Sequence, residues 1–231
     1  MIDVINGKSA IPRPRGRPRA FDRDEALAVA GYHFWRLGYE GASIADLTAA
    51  MGITPQSLYA AFRSKADLYR EALRWYQGEI GSATTEALGD SDVVAAFERV
   101  LLDSAREFCR PDRPRGCMIS TAILTCATEN DAVAEMVAGL RDATLAAFRG
   151  RLQRGVDEGA LRSDTNVTAL ARFIGALVQG MSVQARDGAT EADLAGVADL
   201  GIAELCRHQT DDGYAGGRGR PSDGRIRADT T

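Results

Sequence analysis

The chain has 231 residues, 45% of them apolar, and a formal net charge of −4. That is enough apolar sequence for a sizeable core in one large or two small domains. No run approaches the apolar length a membrane span needs, and the start Met1-Ile2-Asp3-Val4-Ile5-Asn6-Gly7-Lys8 lacks the apolar centre of a signal peptide, so a cytoplasmic protein without a membrane partner is expected.

An acidic balance alone argues against nucleic acid, but the charge is unevenly spread. Residues 1–20 form a basic arm, with Lys8, Arg13, Arg15, Arg17 and Arg19 against the single acid Asp3. The stretch Arg13-Pro14-Arg15-Gly16-Arg17-Pro18-Arg19 reads as disordered, because proline blocks a helix and the charges repel. Its Arg-Gly-Arg-Pro centre resembles an AT-hook. Gly16 would let the backbone approach a narrow minor groove, and Arg15 and Arg17 would reach into the negative potential there. A solvated tail that adds only nonspecific affinity is the plainer alternative.

A first helix is predicted from about Arg23 to Leu37. Asp22 caps it, Glu25 sits three residues on as the acid of a capping box, and Leu27, Ala30, Phe34 and Leu37 form its buried stripe.

Residues 43–65 carry the strongest signal in the chain. Ser43 and Asp46 make a capping box for a short helix whose inward face is Ile44, Leu47 and Met51. Gly52 supplies a turn. Thr54 caps a second helix and Pro55 occupies its first position, where a missing N–H costs nothing. Leu58, Ala61 and Phe62 point inward, which leaves Gln56, Ser57, Tyr59 and Ala60 on other faces. Ser64, with Asp67, caps a third helix. Lys65 in its first turn opposes the helix dipole and makes more sense beside a phosphate. Two short helices across a tight turn, preceded by a basic arm, have the layout of a helix-turn-helix that reads the major groove.

The helix capped by Ser64 presents two apolar faces, Leu68, Ala72 and Trp75 on one and Tyr69, Leu73, Tyr76 and Ile80 on another. Such a helix packs against two bodies. Further helical patterns follow. Val93, Phe97, Leu101, Ala105 and Phe108 form a stripe that ends at the loop 110–116. Residues 118–127 read as a short apolar helix. Val133, Val137, Leu140, Phe148 and Leu152 line a long helix that ends near Gly155 or Gly159. Asp164 or Thr165 starts another, with Leu170, Phe173, Ile174, Leu177, Val178 and Met181. Thr190 caps the last, with Leu194, Val197, Ile202 and Leu205. No strand alternation appears, so the fold class is all-α with about nine helices: an N-terminal helix-turn-helix domain over 21–68 and a C-terminal helical domain over 69–208. The end, 209–231, reads as disordered. It repeats Arg218-Gly219-Arg220-Pro221, but Asp211, Asp212, Asp223 and Asp229 offset its arginines, which favours a bland tail.

The segments Arg15 to Arg19, Gly38 to Ile44, Ala49 to Ile53 and Ser57 to Leu68 resemble the DNA-binding domain of the tetracycline-repressor (TetR/AcrR-like) family of bacterial regulators. The resemblance implies that Ser43, Thr54, Gln56, Ser57, Tyr59 and Lys65 face DNA, Tyr59 and Lys65 mostly at phosphates. Many relatives carry an aromatic and a His where this chain has Ala60 and Ala61, so base readout should lean on Gln56, Ser57 and the arm. The resemblance is weaker beyond the reader, at Gly116-Cys117, Gln179-Gly180 and Ala185 to Gly188. It implies a homodimer through the last two long helices, with Leu170, Phe173, Leu177, Gly180, Val197 and Leu205 as interface candidates. It also implies a small-molecule effector pocket, with Trp75, Phe108, Met118, Met136, Phe148, Phe173 and Met181 as candidate walls. A mostly apolar lining would suit an uncharged or aromatic effector.

The function expected is a ligand-responsive regulator, most simply a repressor released from a palindromic double-stranded operator by a small molecule. An activator on the same fold is not separated from it by sequence. Two alternatives remain: a nonspecific architectural DNA binder using both Arg-Gly-Arg-Pro segments, and a thiol-based redox sensor starting from Cys109 and Cys117. The four cysteines, Cys109, Cys117, Cys126 and Cys206, lack metal spacing, and with only His33 and His208 in the chain no metal or cofactor is expected. Ser120 and Thr121 have no His near in sequence, and an enzyme is not expected.

Overall fold

A computed structural model describes residues 21–124 and 126–210 of the protein. The basic arm with Arg15 and Arg17, and the second Arg-Gly-Arg-Pro, lie outside them. The described residues form nine α-helices and no strand; a single antiparallel bridge joins Leu161 to Gln209.

The reader comprises α1 (Arg23–Gly41), α2 (Ile44–Met51), α3 (Pro55–Phe62) and α4 (Lys65–Glu79). Asp22 caps α1 by accepting from the N–H groups of Asp24 and Glu25. The helix runs past Leu37 through a kink at Gly38, whose φ of 74° needs glycine. Leu37 is exposed rather than part of the buried stripe; Ala30, Phe34, Trp35 and Tyr39 fill that role.

One core joins Phe34, Trp35, Leu47, Leu58, Phe62, Leu68, Tyr69 and Leu73 with Met118, Val133 and Val137. The two apolar faces of α4 are both used, Leu68, Ala72 and Tyr69, Leu73, Tyr76 all being buried. A second core lies among α5 (Ser82–Leu88), α6 (Val93–Phe108), α7 (Asp131–Asp157), α8 (Val167–Arg186) and α9 (Glu191–Cys206). The α6 stripe Val93, Phe97, Leu101, Ala105 and Phe108 is wholly buried, under an Asp92 cap.

Besides the longer α1, three features differ from the sequence reading. Residues 118–124 and 126–127 are turns, not a helix. The Thr121 hydroxyl donates to the Cys117 carbonyl at 2.9 Å, and Arg141 donates to the carbonyls of Ile119 and Ala122 at 3.3 and 2.9 Å. These side chains satisfy backbone acceptors that a helix would otherwise pair. The short α5, flanked by Gly81 and Gly89, was not foreseen. Asn166, rather than Asp164 or Thr165, caps α8 by accepting from Ala169 N–H at 3.0 Å.

Candidate nucleic-acid interface and ligand cavity

The turn between α2 and α3 is built by local rules. Ser43 Oγ accepts from Asp46 N–H at 3.0 Å and donates to the Asp46 carboxylate at 2.5 Å. The hydroxyl bond, with a second from Ser43 N–H at 3.2 Å, holds the Asp46 carboxyl below its ordinary range. Gly52 takes the left-handed conformation at φ 66°, and the Ile53 N–H closes back on Thr48 C=O at 3.1 Å. Thr54 Oγ1 then accepts from Ser57 N–H at 3.1 Å and opens α3, with Pro55 at its start.

Leu58 and Phe62 are buried and fix which side of α3 faces inward. Gln56, Tyr59 and Ala60 are exposed on the other side, Tyr59 at 48%. Ser57 differs from its neighbours, being half-buried with its hydroxyl 3.0 Å from Thr54 Oγ1. Ser43 and Thr54 are exposed at the starts of α2 and α3. Lys65 is half-buried. Its ammonium lies 4.4 Å from the Tyr39 ring centre, and burial draws its pKa down, partly offset by Glu40. Sequence alone gave no sign of that ring contact.

The motif reading passed over two arginines. Arg63 ends α3 at φ 65° and ψ −55° with an exposed side chain, and Ser64 N–H closes a three-residue turn on Phe62 C=O at 2.7 Å. A non-glycine residue there stores about 1–3 kcal/mol of strain. Arg23 stacks 4.5 Å from the Phe62 ring centre and pairs with Glu71 at 2.7 Å, which ties α1, α3 and α4 together.

A cavity of about 210 Å³ opens between the reader and the second core. Its apolar wall includes Trp35, Tyr76, Ile80, Val100, Phe108, Leu145, Phe148 and Val178. Its polar wall includes Thr84, Asp103, Ser104, Glu107, Cys117, Ser120, Arg141, Thr144 and Gln179. Of the residues expected as walls, Phe108 and Phe148 line it. Trp75 packs edge-on against Tyr32 instead, at 5.3 Å. Met118 and Met181 are buried in the two cores, Met136 packs beside the reader core, and Phe173 lines a separate surface groove with Leu170 and Leu200. Trp35, Tyr76 and Arg141 line it as well, brought together from helices distant in sequence. The lining also carries more charge than the sequence reading anticipated. Burial, and then the adjacent Cys117, push the Tyr76 hydroxyl well above its ordinary pKa, so it stays a neutral hydroxyl.

The reader meets the cavity through α1. Trp35 Nε1 donates to Gly116 C=O at 3.2 Å. Arg186, at the end of α8, donates to the carbonyls of Trp35 and Arg36 at 3.3 and 3.1 Å, just before the Gly38 kink. Gly116 sits at φ 75°, and an added Cβ would come within 2.6 Å of the Ser182 carbonyl oxygen.

On α8 and α9 the expected interface residues divide. Leu170 and Leu205 are buried in the protein's own core, so they offer little surface to a partner. Leu177, Gly180 and Val197 are half-buried. Phe173, Val183 and Leu200 are the exposed large apolar side chains, Leu200 at 74%.

All four cysteines are free thiols. Cys109 Sγ lies 3.5 Å from Ala189 C=O, Cys117 Sγ accepts from Ser120 N–H at 3.5 Å, and burial with Asp131 nearby pushes the Cys126 thiol up. Among the described residues no group of three or more His, Cys, Asp or Glu could hold a metal ion, and no helix is long and apolar enough to cross a membrane.

Two family models match the chain. Residues 27–72 match "Bacterial regulatory proteins, tetR family", and residues 94–196 match "Tetracyclin repressor-like, C-terminal domain". The chain is 32% identical over 200 residues to the HTH-type transcriptional repressor ComR of Escherichia coli (strain K12), covering 84% of this chain and 94% of that protein. It is 29% identical over 198 residues to the repressor BdcR of the same organism, covering 85% and 94%. Among solved structures it resembles a cysteine-substituted form of the TetR family transcriptional regulator CifR complexed with 26-bp double-strand operator DNA, with 41% identity, a TM-score of 0.78, and coverage of 81% of this chain and 98% of that one.

Proposed function

The chain belongs to the TetR family of bacterial regulatory proteins, and from that premise we propose that it is a cytoplasmic homodimeric repressor, released from a palindromic operator when a small molecule enters the cavity. The observation that carries the reading is α3. Leu58 and Phe62 anchor it from within, and Gln56, Tyr59 and Ala60 stand exposed on its outer side. That CifR, a similar chain, was solved in complex with operator DNA supports DNA as the partner.

In this reading residues 21–68 read DNA, residues 69–208 bind effector and dimerise, and the segments 1–20 and 209–231 flank them. Gln56, with Ser57, reads base edges in the major groove. Ser43, Thr54, Tyr59 and Lys65 hold phosphates and set register. Arg15 and Arg17 extend the contact into the flanking minor groove. Two-fold symmetry places two α3 helices one duplex turn apart, roughly 34–36 Å, and doubles the bases read. The exposed Phe173, Val183 and Leu200 supply the dimer contact in place of the buried Leu170 and Leu205.

Effector action follows from geometry. The cavity is lined by Trp35 of α1, a reader helix, and by Tyr76 of α4, which begins in the reader at Lys65 and runs into the second part. A ligand that fits only one setting of these helices shifts their angle, and the α3 separation no longer matches successive grooves. A coupling of about 1–3 kcal/mol changes operator affinity roughly 5- to 150-fold.

Selection of bound sequences from a randomised DNA pool tests the reading. An inverted repeat with half-site centres about 10–10.5 base pairs apart, or a multiple, supports it. Enrichment of A·T-rich DNA without a repeat would instead favour nonspecific binding by the Arg-Gly-Arg-Pro segments.

A further inference from the structure

We propose that the cavity takes a small organic carboxylate, held by the Arg141 guanidinium with its apolar body against Leu145 and Phe148. The inference deepens the effector half of the proposed function and rests on the cavity being the effector site. Three charged side chains line that cavity: Asp103, Glu107 and Arg141. The two acids are already neutralised. Asp103 pairs with Arg106 at 2.9 Å, and Glu107 pairs with Arg110 at 3.7 Å and more closely with Arg113.

Arg141 is different. Its Nη1 serves the carbonyls of Ile119 and Ala122, and the two acids of the wall pair with other arginines. The uncompensated charge in the wall is therefore positive. A guanidinium presents a planar fork of donors that matches a carboxylate, and one Nη in use on backbone carbonyls both fixes its plane and leaves donors free.

The rest of α7 says what is attached to that carboxylate. Arg141, Thr144, Leu145 and Phe148 follow the spacing of one helical face and all line the cavity. Beyond Arg141 and Thr144 that face turns apolar, and Trp35, Tyr76 and Phe108 complete aromatic walls. A molecule with one anionic end and an aryl or alkyl body matches this gradient. A phosphate dianion would need a second unpaired cation in the wall, and an amine would have to displace arginines from Asp103 or Glu107.

The test is isothermal titration calorimetry of the DNA-free protein with 2-naphthoate and octanoate, each against its own primary amide, and with 2-naphthylmethylamine. At least one carboxylate should bind about tenfold or more tightly than its amide. Arg141→Gln should abolish the difference, and Arg141→Lys should keep part of it. Equal or tighter binding of both amides, preference for the amine, no binding of either carboxylate, or a preference that survives in a folded Arg141→Gln would overturn the proposal. If Arg141→Gln proves unfolded by circular dichroism, the carboxylate–amide comparison on the unaltered protein decides alone. Operator binding is measured separately. A carboxylate that binds while the operator is retained leaves this inference standing and removes effector release. Intact operator binding without carboxylate binding removes this inference only.

Discussion

Trp35 and Gly116 are joined by a hydrogen bond of 3.2 Å from the indole Nε1 to the backbone carbonyl, and both residues also border the cavity. The first helix of the reader is thus in direct contact with the space an effector would fill, in addition to the route through α4. Trp35 is 2% exposed, so Trp35→Phe removes packed volume and leaves the Gly116 carbonyl without its partner. A loss of about 2–4 kcal/mol in urea unfolding is expected. A change under about 0.5 kcal/mol would mean the contact is not made in solution.

Arg186 holds the carbonyls of Trp35 and Arg36 and also reaches Thr121 Oγ1 at 3.2 Å. Arg186→Met is expected to leave effector-free operator affinity within a few fold while shrinking the release caused by effector. Anisotropy titrations with and without ligand measure both. Full release in a folded Arg186→Met would place the coupling elsewhere.

Gln56 and Tyr59 are exposed on α3, and their removal should leave the fold intact. Gln56→Ala is expected to cost about 1–3 kcal/mol on the operator and to relax preference at one base position. Tyr59→Ala should weaken binding to all sequences alike. Thermal midpoints within a few degrees of the unaltered protein would separate these effects from unfolding.

Leu200 at 74% exposure, near Phe173, is a large apolar residue that a lone subunit leaves in water. Leu200→Glu is expected to shift sedimentation from dimer toward monomer. A dimer unchanged at low micromolar concentration would locate the contact away from this face of α9.

Stability should fall in acid for a local reason. The carboxylates of Asp46, Asp67 and Asp193 accept from the hydroxyls of their cap residues Ser43, Ser64 and Thr190, which lowers their pKa values in the fold. A carboxyl depressed in the fold stabilises it above the unfolded value, about 3.9, and that contribution is lost as pH falls through the folded value. Thermal midpoints between pH 6 and pH 3 should drop less steeply in Asp67→Asn than in the unaltered protein. Parallel curves would show the cap bond is not retained.

The reader was legible because its signals are local. Ser43, Gly52, Thr54-Pro55 and Ser64 each act within four residues, and each sits at the boundary its chemistry implies. The α6 stripe was legible for the same reason. Residues 118–127 were not, because what holds them as turns is Arg141, 22 positions from Ile119. That lost helix and the unforeseen α5 offset each other in the count. The cavity was least legible, since α1, α4, α6, α7 and α8 each contribute part of its wall. The exposure of Leu200 and burial of Leu205 likewise depend on how α9 packs onto α6 and α8.

The proposed function rests on sequence-specific operator recognition. Fluorescence anisotropy of labelled DNA carrying the inverted repeat recovered by selection, against scrambled DNA of equal length at near-physiological salt, tests it most directly. A preference of about a thousandfold or more is expected. Equal affinity for both, with the steep salt dependence of a phosphate-only contact, would contradict it.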